Sequence, residues 1–333
     1  MVHAVVPPPD GGYPGFTTAE GTNALKNLTA GVANTGIGWY SLFATDIGSY
    51  NTAVGAGALD LNTADNNTAV GVAALLFNTT AINNTALGTA ALEFNDTGEG
   101  NTATGAFALF SNTEGQFNTA NGEFALYFNT TGERNTAIGD SASYLNTEGS
   151  RNTAIGNPAL LNNTTGDNNT AVGFNALWAN TASDNTATGA SALSANTTGA
   201  NNVASGSEAL SSNTVGDGNT ALGYQALVEN VDGDLNTAVG DIALRNKTTG
   251  GQNTAFGAWT LVNNTVGTNI RPSVSALFLS ARAPATQPWA LLQARALSGR
   301  VMSFPSDRRV RTWMTAATSA ISGSNRAARR PSM

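Results

Sequence analysis

The sequence predicts an all-β protein, a parallel β-solenoid of about fifteen coils followed by an irregular C-terminal tail. Three observations predict it: a motif that recurs every 17 residues, a glycine at the same place in every copy, and a leucine column nine residues into the copies.

The tetrad Asn-Thr-Ala-x followed by Gly begins at Asn51, Asn67, Asn84, Asn101, Asn118, Asn135, Asn152, Asn169, Asn185, Asn219, Asn236 and Asn253. At Asn202 the Thr is replaced by Val203, and weaker copies begin at Asn34 and Thr17. Successive starts lie 17 residues apart, except for steps of 16 from Asn51 to Asn67 and from Asn169 to Asn185. Both short copies lose their residue in the Asn/Gly/Asp-rich stretch that ends the copy, which marks that stretch as a surface turn.

Counting from the tetrad, position 5 is Gly throughout, position 8 usually Ala, position 9 usually Leu, position 12 Asn and position 13 usually Thr. The leucine column runs from Leu59 to Leu261, with Ser143 in the slot of the copy at Asn135. A central Gly and flanking Asn-Thr pairs leave no run long enough for a helix, which needs roughly ten residues or more. Two short extended segments per copy, around Asn-Thr-Ala-x and x-Ala-Leu-x, are expected instead. A single copy cannot fold alone. Ordering each residue costs about 1–2 kcal/mol, whereas burying one Leu returns roughly 1.5–3 kcal/mol. Stacking is therefore required, with Asn side chains hydrogen-bonding along the axis and Ala and Leu filling a thin core. At ~4.8 Å per strand, fifteen coils make a rod of about 70 Å.

Composition narrows the function. Only 11% of residues are charged, there is no Cys, and the sole His is His3. Disulfides, thiolate chemistry, His-based triads and multi-His metal sites have no residues to work with. No catalytic, cofactor-binding or metal-ligating residue is expected, no cofactor is implied, and the chain is not expected to be an enzyme. A polysaccharide lyase on a β-helix would need acids and bases clustered across coils, and residues 1–269 hold only five Lys or Arg. No window of ~18 apolar residues suggests a membrane-spanning helix. Residues 1–16 read as a Pro/Gly-rich lead-in rather than a signal peptide.

Charge divides the chain. Residues 1–269 carry −16 and residues 270–333 carry +9, the latter from ten Arg against Asp307. Nucleic acid is not an expected partner of the acidic repeat domain, residues 17–269. The repeat stops in mid-register, with Ile270 and Arg271 where a copy should begin. Residues 270–333 read either as a basic low-order tail or second domain, whose ten Arg suit nucleic acid or a membrane surface, or as a translated frameshift. Arg271–Ala276, read with permitted codons from the third base of the first codon, becomes ALGVSA and restores the Ala-x-Gly of a further copy. Val301–Ala320 in the same frame acquires strand alternation. An intact reading frame across this junction in an independent clone separates the two readings.

The pattern Asn-Thr-Ala-Ile-Gly-x-x-Ala, clearest at Asn135–Ala142 and Asn152–Ala159, resembles the head repeats of trimeric autotransporter adhesins. The resemblance covers residues 17–269. It implies a left-handed β-roll, a homotrimer, a bacterial surface or extracellular location, and adhesion to a host, matrix or polysaccharide surface. Similar repeats occur in phage-fibre-like bacterial surface proteins, so a fibre shaft is an alternative. The copies here are longer than the usual head repeat, and no heptad stalk follows.

Other motifs have a structural reading. The repeat itself generates its many Asn-x-Thr triplets, and its glycines recur once per coil without a phosphate-binding Lys. Acids such as Asp65, Asp167, Asp217 and Asp234 recur in the turns without the spacing of a Ca²⁺ loop, as a solvated edge does. The Thr column at position 2, from Thr52 to Thr254, favours extended backbone and closes hydrogen bonds along the ladder; alternatively it serves a monomeric ligand- or ice-binding face. Aromatics, among them Phe77, Phe94, Phe110, Tyr127, Phe128 and Trp178, cluster loosely in the middle coils and either line a subunit interface or a binding patch, or fill the core beside Leu.

Overall fold

A computed structural model of the chain describes residues 15–271. Fifteen strands of three residues each, from β1 (Thr18–Glu20) and β2 (Thr35–Ile37) through β8 (Thr136–Ile138) to β15 (Thr254–Phe256), form one parallel sheet in sequence order. Among the described residues there is no helix. Register is strict: Thr stands on Thr, Ala on Ala and the fourth position on the fourth, as in Thr136↔Thr153, Ala137↔Ala154 and Ile138↔Ile155. The two short copies keep this register, because Thr52 still pairs with Thr68 and Thr170 with Thr186. The residue they lack is taken from the turn.

Each strand is short because its two flanks end it. At one end the Asn of position 1 is fully buried. At the other, the Gly of position 5 turns the chain with a φ that L side chains resist. Gly71 has φ +143°, and a Cβ there would lie 2.3 Å from the carbonyl oxygen of Gly88 in the next coil. Both the backbone angle and the space reserve this column for glycine.

The second extended segment expected around Ala-Leu does not form. The Leu of position 9 adopts a left-handed conformation, with φ 52° at Leu59 and at Leu75, and the residue at position 7 does the same, as at Ala73 (φ 56°). A chain that closes on itself within 17 residues must bend at several corners, and these residues supply them. Hydrogen bonding survives the bends: Leu59 N–H donates to Ala74 O (3.0 Å) in the following coil, and Ala73 N–H donates to Ala56 O (2.9 Å) in the preceding one. Left-handed backbone costs an L residue about 1–2 kcal/mol. Complete burial of the Leu side chain, worth roughly 1.5–3 kcal/mol, offsets it.

The core is narrow. Ala at positions 3 and 8 and Leu at position 9 are inaccessible to solvent in nearly every coil, and Leu25 and Leu42 extend the column into the two weak N-terminal copies. Ser143 is buried in the vacant leucine slot.

Two buried Asn columns tie the coils together differently. At position 1 the side chain accepts from the backbone of the next coil and donates within its own. Asn118 N–H thus reaches Asn101 Oδ1 (2.9 Å), and Asn118 Nδ2 donates to Gly132 O (2.8 Å). At position 12 the amides bond directly to one another, Asn129 Nδ2 to Asn112 Oδ1 (2.7 Å) and Asn146 Nδ2 to Asn129 Oδ1 (2.8 Å). The second ladder is not unbroken. Leu28, Thr45 and Lys247 occupy position 12 in their coils. The buried Oδ1 of Asn230, facing the Lys247 coil, has no partner, and neither has Asn163 Oδ1, facing the short coil.

The backbone register continues one residue past the expected boundary, since Ile270 N–H donates to Asn253 Oδ1 (3.0 Å). The lead-in reading of residues 1–16 and both readings of residues 270–333 otherwise fall outside the described residues.

Candidate recognition surfaces

Positions 2 and 4 of every strand point outward and form one sheet face. Position 2 is Thr in every strand but one, and position 4 is Ile, Val, Leu, Phe, Thr, Ser or Asn from β2 to β15, so that no charged side chain stands on this face between them. Its aliphatic side chains are well exposed, Ile138 at 40% and Ile155 at 37%. The ladder hydrogen bonds expected of the position-2 hydroxyls are made elsewhere. Position-13 hydroxyls donate to carbonyls of the next coil, Thr130 Oγ1 to Thr147 O (3.0 Å) and Thr197 Oγ1 to Thr214 O (2.9 Å). Among the described residues no position-2 hydroxyl donates to another protein atom, so these groups are left to water or to whatever covers the face.

Positions 7, 10 and 11 form a second face at the corner of the coil, and here the residue changes from coil to coil. The aromatics do not fill the core, whose apolar residues are Ala and Leu; none of them is buried. Several instead stack along this corner. Phe110 and Tyr127 lie 5.0 Å apart at 6°, Tyr127 and Tyr144 5.3 Å apart at 17°, and Phe107 and Phe124 5.4 Å apart at 9°. Phe77 stacks on Phe94 at 5.1 Å, and Phe94 meets Phe110 edge-on at 5.0 Å. Phe117, Phe174, Tyr224, Phe256 and Trp259 stand at other positions or apart from this cluster. The signal that locates the corner is coil position, which reading the aromatics as one loose group does not bring out.

Acids play two parts. In the turns, Asp65 accepts from Ser49 N–H (2.7 Å), Asp167 from Ser150 N–H (2.7 Å), Asp217 from Ala200 N–H (2.7 Å) and Asp234 from Asp217 N–H (2.8 Å). These carboxylates share one offset and cap a backbone donor of the preceding coil. At position 10 of the corner face, Asp60 and Glu93 stand among apolar neighbours in the column, and desolvation raises both carboxyls above their ordinary values. Among the described residues no three His, Cys, Asp or Glu side chains gather closely enough to share a metal ion.

Lys247 is the one fully buried cation among the described residues. Its ammonium donates to the carbonyls of Thr249, Gly267 (2.9 Å) and Thr265 (3.3 Å). Burial lowers its pKa, and the charge of Asp232 pulls it partly back.

Among described residues no helix is long and apolar enough to cross a membrane. Compared with protein-family models, with curated proteins and with solved structures, the chain matches none.

Proposed function

We propose that the solenoid is a non-enzymatic structural and adhesive rod, secreted or displayed on a bacterial surface, and that it assembles as a homotrimer through its sheet face. The observation that carries this reading is the face itself: fourteen consecutive strands, β2 to β15, whose outward positions hold Thr and mostly aliphatic residues, with Asn121, Ser205 and Phe256 among them, and no charge. A surface about 65 Å long and about 10 Å wide offers roughly 650 Å² per chain, which a trimer divides between two partners. A long uncharged surface with a row of exposed aliphatic side chains suits an association site. The core of Ala and one Leu per coil is thin for a chain standing alone, and symmetric association covers what it leaves exposed. The acidic repeat disfavours nucleic acid and leaves a host, matrix or polysaccharide surface as the adhesive target.

One observation favours a second reading. The unpartnered hydroxyls of position 2, in register at strand spacing, suit a monomer whose face orders water or ice. Light scattering at micromolar concentration separates the two. The rod reading expects three times the chain mass, reduced to one chain mass by Ile138→Lys with Ile155→Lys at unchanged circular dichroism. A wild-type monomer that shows thermal hysteresis sinks the trimer and assigns the face to ice.

A further inference from the structure

The corner face dips into a shallow, open groove of about 600 Å³ between the coils that begin at Asn169 and Asn185, lined by Asn175, Trp178, Ala179, Ser191, Ser194 and Ala195. Its origin is a change of side-chain size down one column. Position 10 holds Phe110, Tyr127, Tyr144, Leu161 and Trp178 in succession, and then Ser194 and Ser211. In the stacked part of the column each ring face is covered by the next ring. Those faces are closed to a ligand, and only their edges meet solvent. Trp178 is 42% exposed, pairs with no other ring among the described residues, and has nothing larger than a hydroxymethyl group beside it on the Ser194 side. Its backbone is held in place, since Trp178 O accepts from both Asn162 N–H (3.1 Å) and Asn162 Nδ2 (2.9 Å).

We propose that this groove binds a pyranose ring of a neutral polysaccharide, with the Trp178 indole stacked on the sugar and Asn175, Ser191 and Ser194 hydrogen-bonding its hydroxyls. The inference rests on the adhesive-rod reading and names its target class. A pyranose presents a C–H face, which suits the apolar indole plane, and a rim of hydroxyls, which suits short amide and hydroxyl side chains. Donors and acceptors are on hand: Ser194 Oγ makes only a long bond, 3.4 Å, to Ser211 O, and Asn175 makes no side-chain bond among the described residues. No basic residue lines the groove, so a phosphate or sulfate chain finds no counter-charge there. One coil further, Glu208 accepts from Gln225 Nε2 (2.6 Å), which continues a polar track along the axis for the next sugar of a chain.

The test titrates the full chain with cellohexaose, mannohexaose, laminarihexaose and chitohexaose, followed by tryptophan fluorescence and calorimetry. At least one hexasaccharide binds with a Kd of about 1 mM or tighter. Trp178→Ala weakens it at least ~tenfold, Trp178→Phe less, and Trp259→Ala, an exposed indole outside the groove, not at all. Absence of binding by all four sugars up to about 10 mM, or equal binding by Trp178→Ala and wild type, overturns the proposal. Light scattering on the same samples keeps the two readings apart: a trimer that binds no sugar overturns the groove alone, and a monomer that binds one supports it while overturning the assembly.

Discussion

The sheet face and the corner face are built by the same coils at the same spacing, and both meet solvent, yet their residues vary in different ways. On the sheet face, position 4 changes only among uncharged residues from β2 to β15. On the corner face, position 10 runs through Lys26, Phe43, Asp60, Leu76, Glu93, three aromatics, Leu161, Trp178 and Ser194. Interior columns admit little change for an obvious reason, because each residue touches its own copy above and below. Position 4, as exposed as many corner residues, lies within the strand, where β-branched and aromatic side chains are favoured and like charges on adjacent strands repel. Under the proposed assembly, an external contact repeated along the sheet adds to that restriction. The freedom of the corner points to a surface where individual coils differ in what they meet.

Three measurements break or sharpen this contrast, and all are read coil by coil through hydrogen exchange, because a repeat array need not unfold in one step. The largest effect belongs to the interior. Gly122→Ala places a Cβ 2.4 Å from Gly139 O at a φ of +143°, and a local loss of about 2–4 kcal/mol is expected in the coils beginning at Asn118 and Asn135. Unchanged protection there would show that the Gly column is a habit of the sequence rather than a requirement of the stack.

Lys247→Asn comes next, with opposite sign. It restores a donor for the orphaned Asn230 Oδ1 and removes a buried charge, so protection around residues 230–264 rises by about 1–3 kcal/mol. The wild type also carries a pH signature. Because burial lowers the Lys247 pKa, the unfolded chain binds the proton more tightly than the folded one. Stability therefore rises with pH from the folded value up to the ordinary Lys value of 10.5, and the Asn variant lacks that rise.

The smallest effect is Tyr127→Ser on the corner. It removes stacking on Phe110 and Tyr144 and edge contacts to Phe124 and Phe128, for a loss of about 1 kcal/mol. A loss as large as that of Gly122→Ala would place the aromatic cluster in the structural frame and dissolve the distinction between faces.

Much of the fold could be read from periodicity. The recurrence of Asn-Thr-Ala-x-Gly gives the parallel stack, its register and its core columns, because identical residues at identical intervals can only meet themselves. The sequence does not announce the left-handed Leu of position 9, since apolar Ala-Leu carries a strand-like composition and the bend comes from closing the coil. Nor does it separate two Thr columns that look alike: position 13 closes hydrogen bonds between coils, and position 2 faces outward, a difference set by side-chain direction. Lys247 could have been noticed as the single basic residue in an Asn column. The Trp178 groove depends on Ser194 lying one coil away, which is a neighbour in space sixteen residues distant in sequence.

The strict copy-on-copy register has a genetic corollary. Every coil offers the next the same strand register, so an in-frame gain or loss of one copy in the gene leaves the strand pairing of the remaining coils intact and alters the molecule's reach by about 4.8 Å. Recombination between repeated segments of the gene thereby becomes a ruler for length. Tolerance is built in: the two coils short by a residue already keep their strands aligned with both neighbours. Distance spanned can thus drift between lineages while each coil's architecture stays fixed.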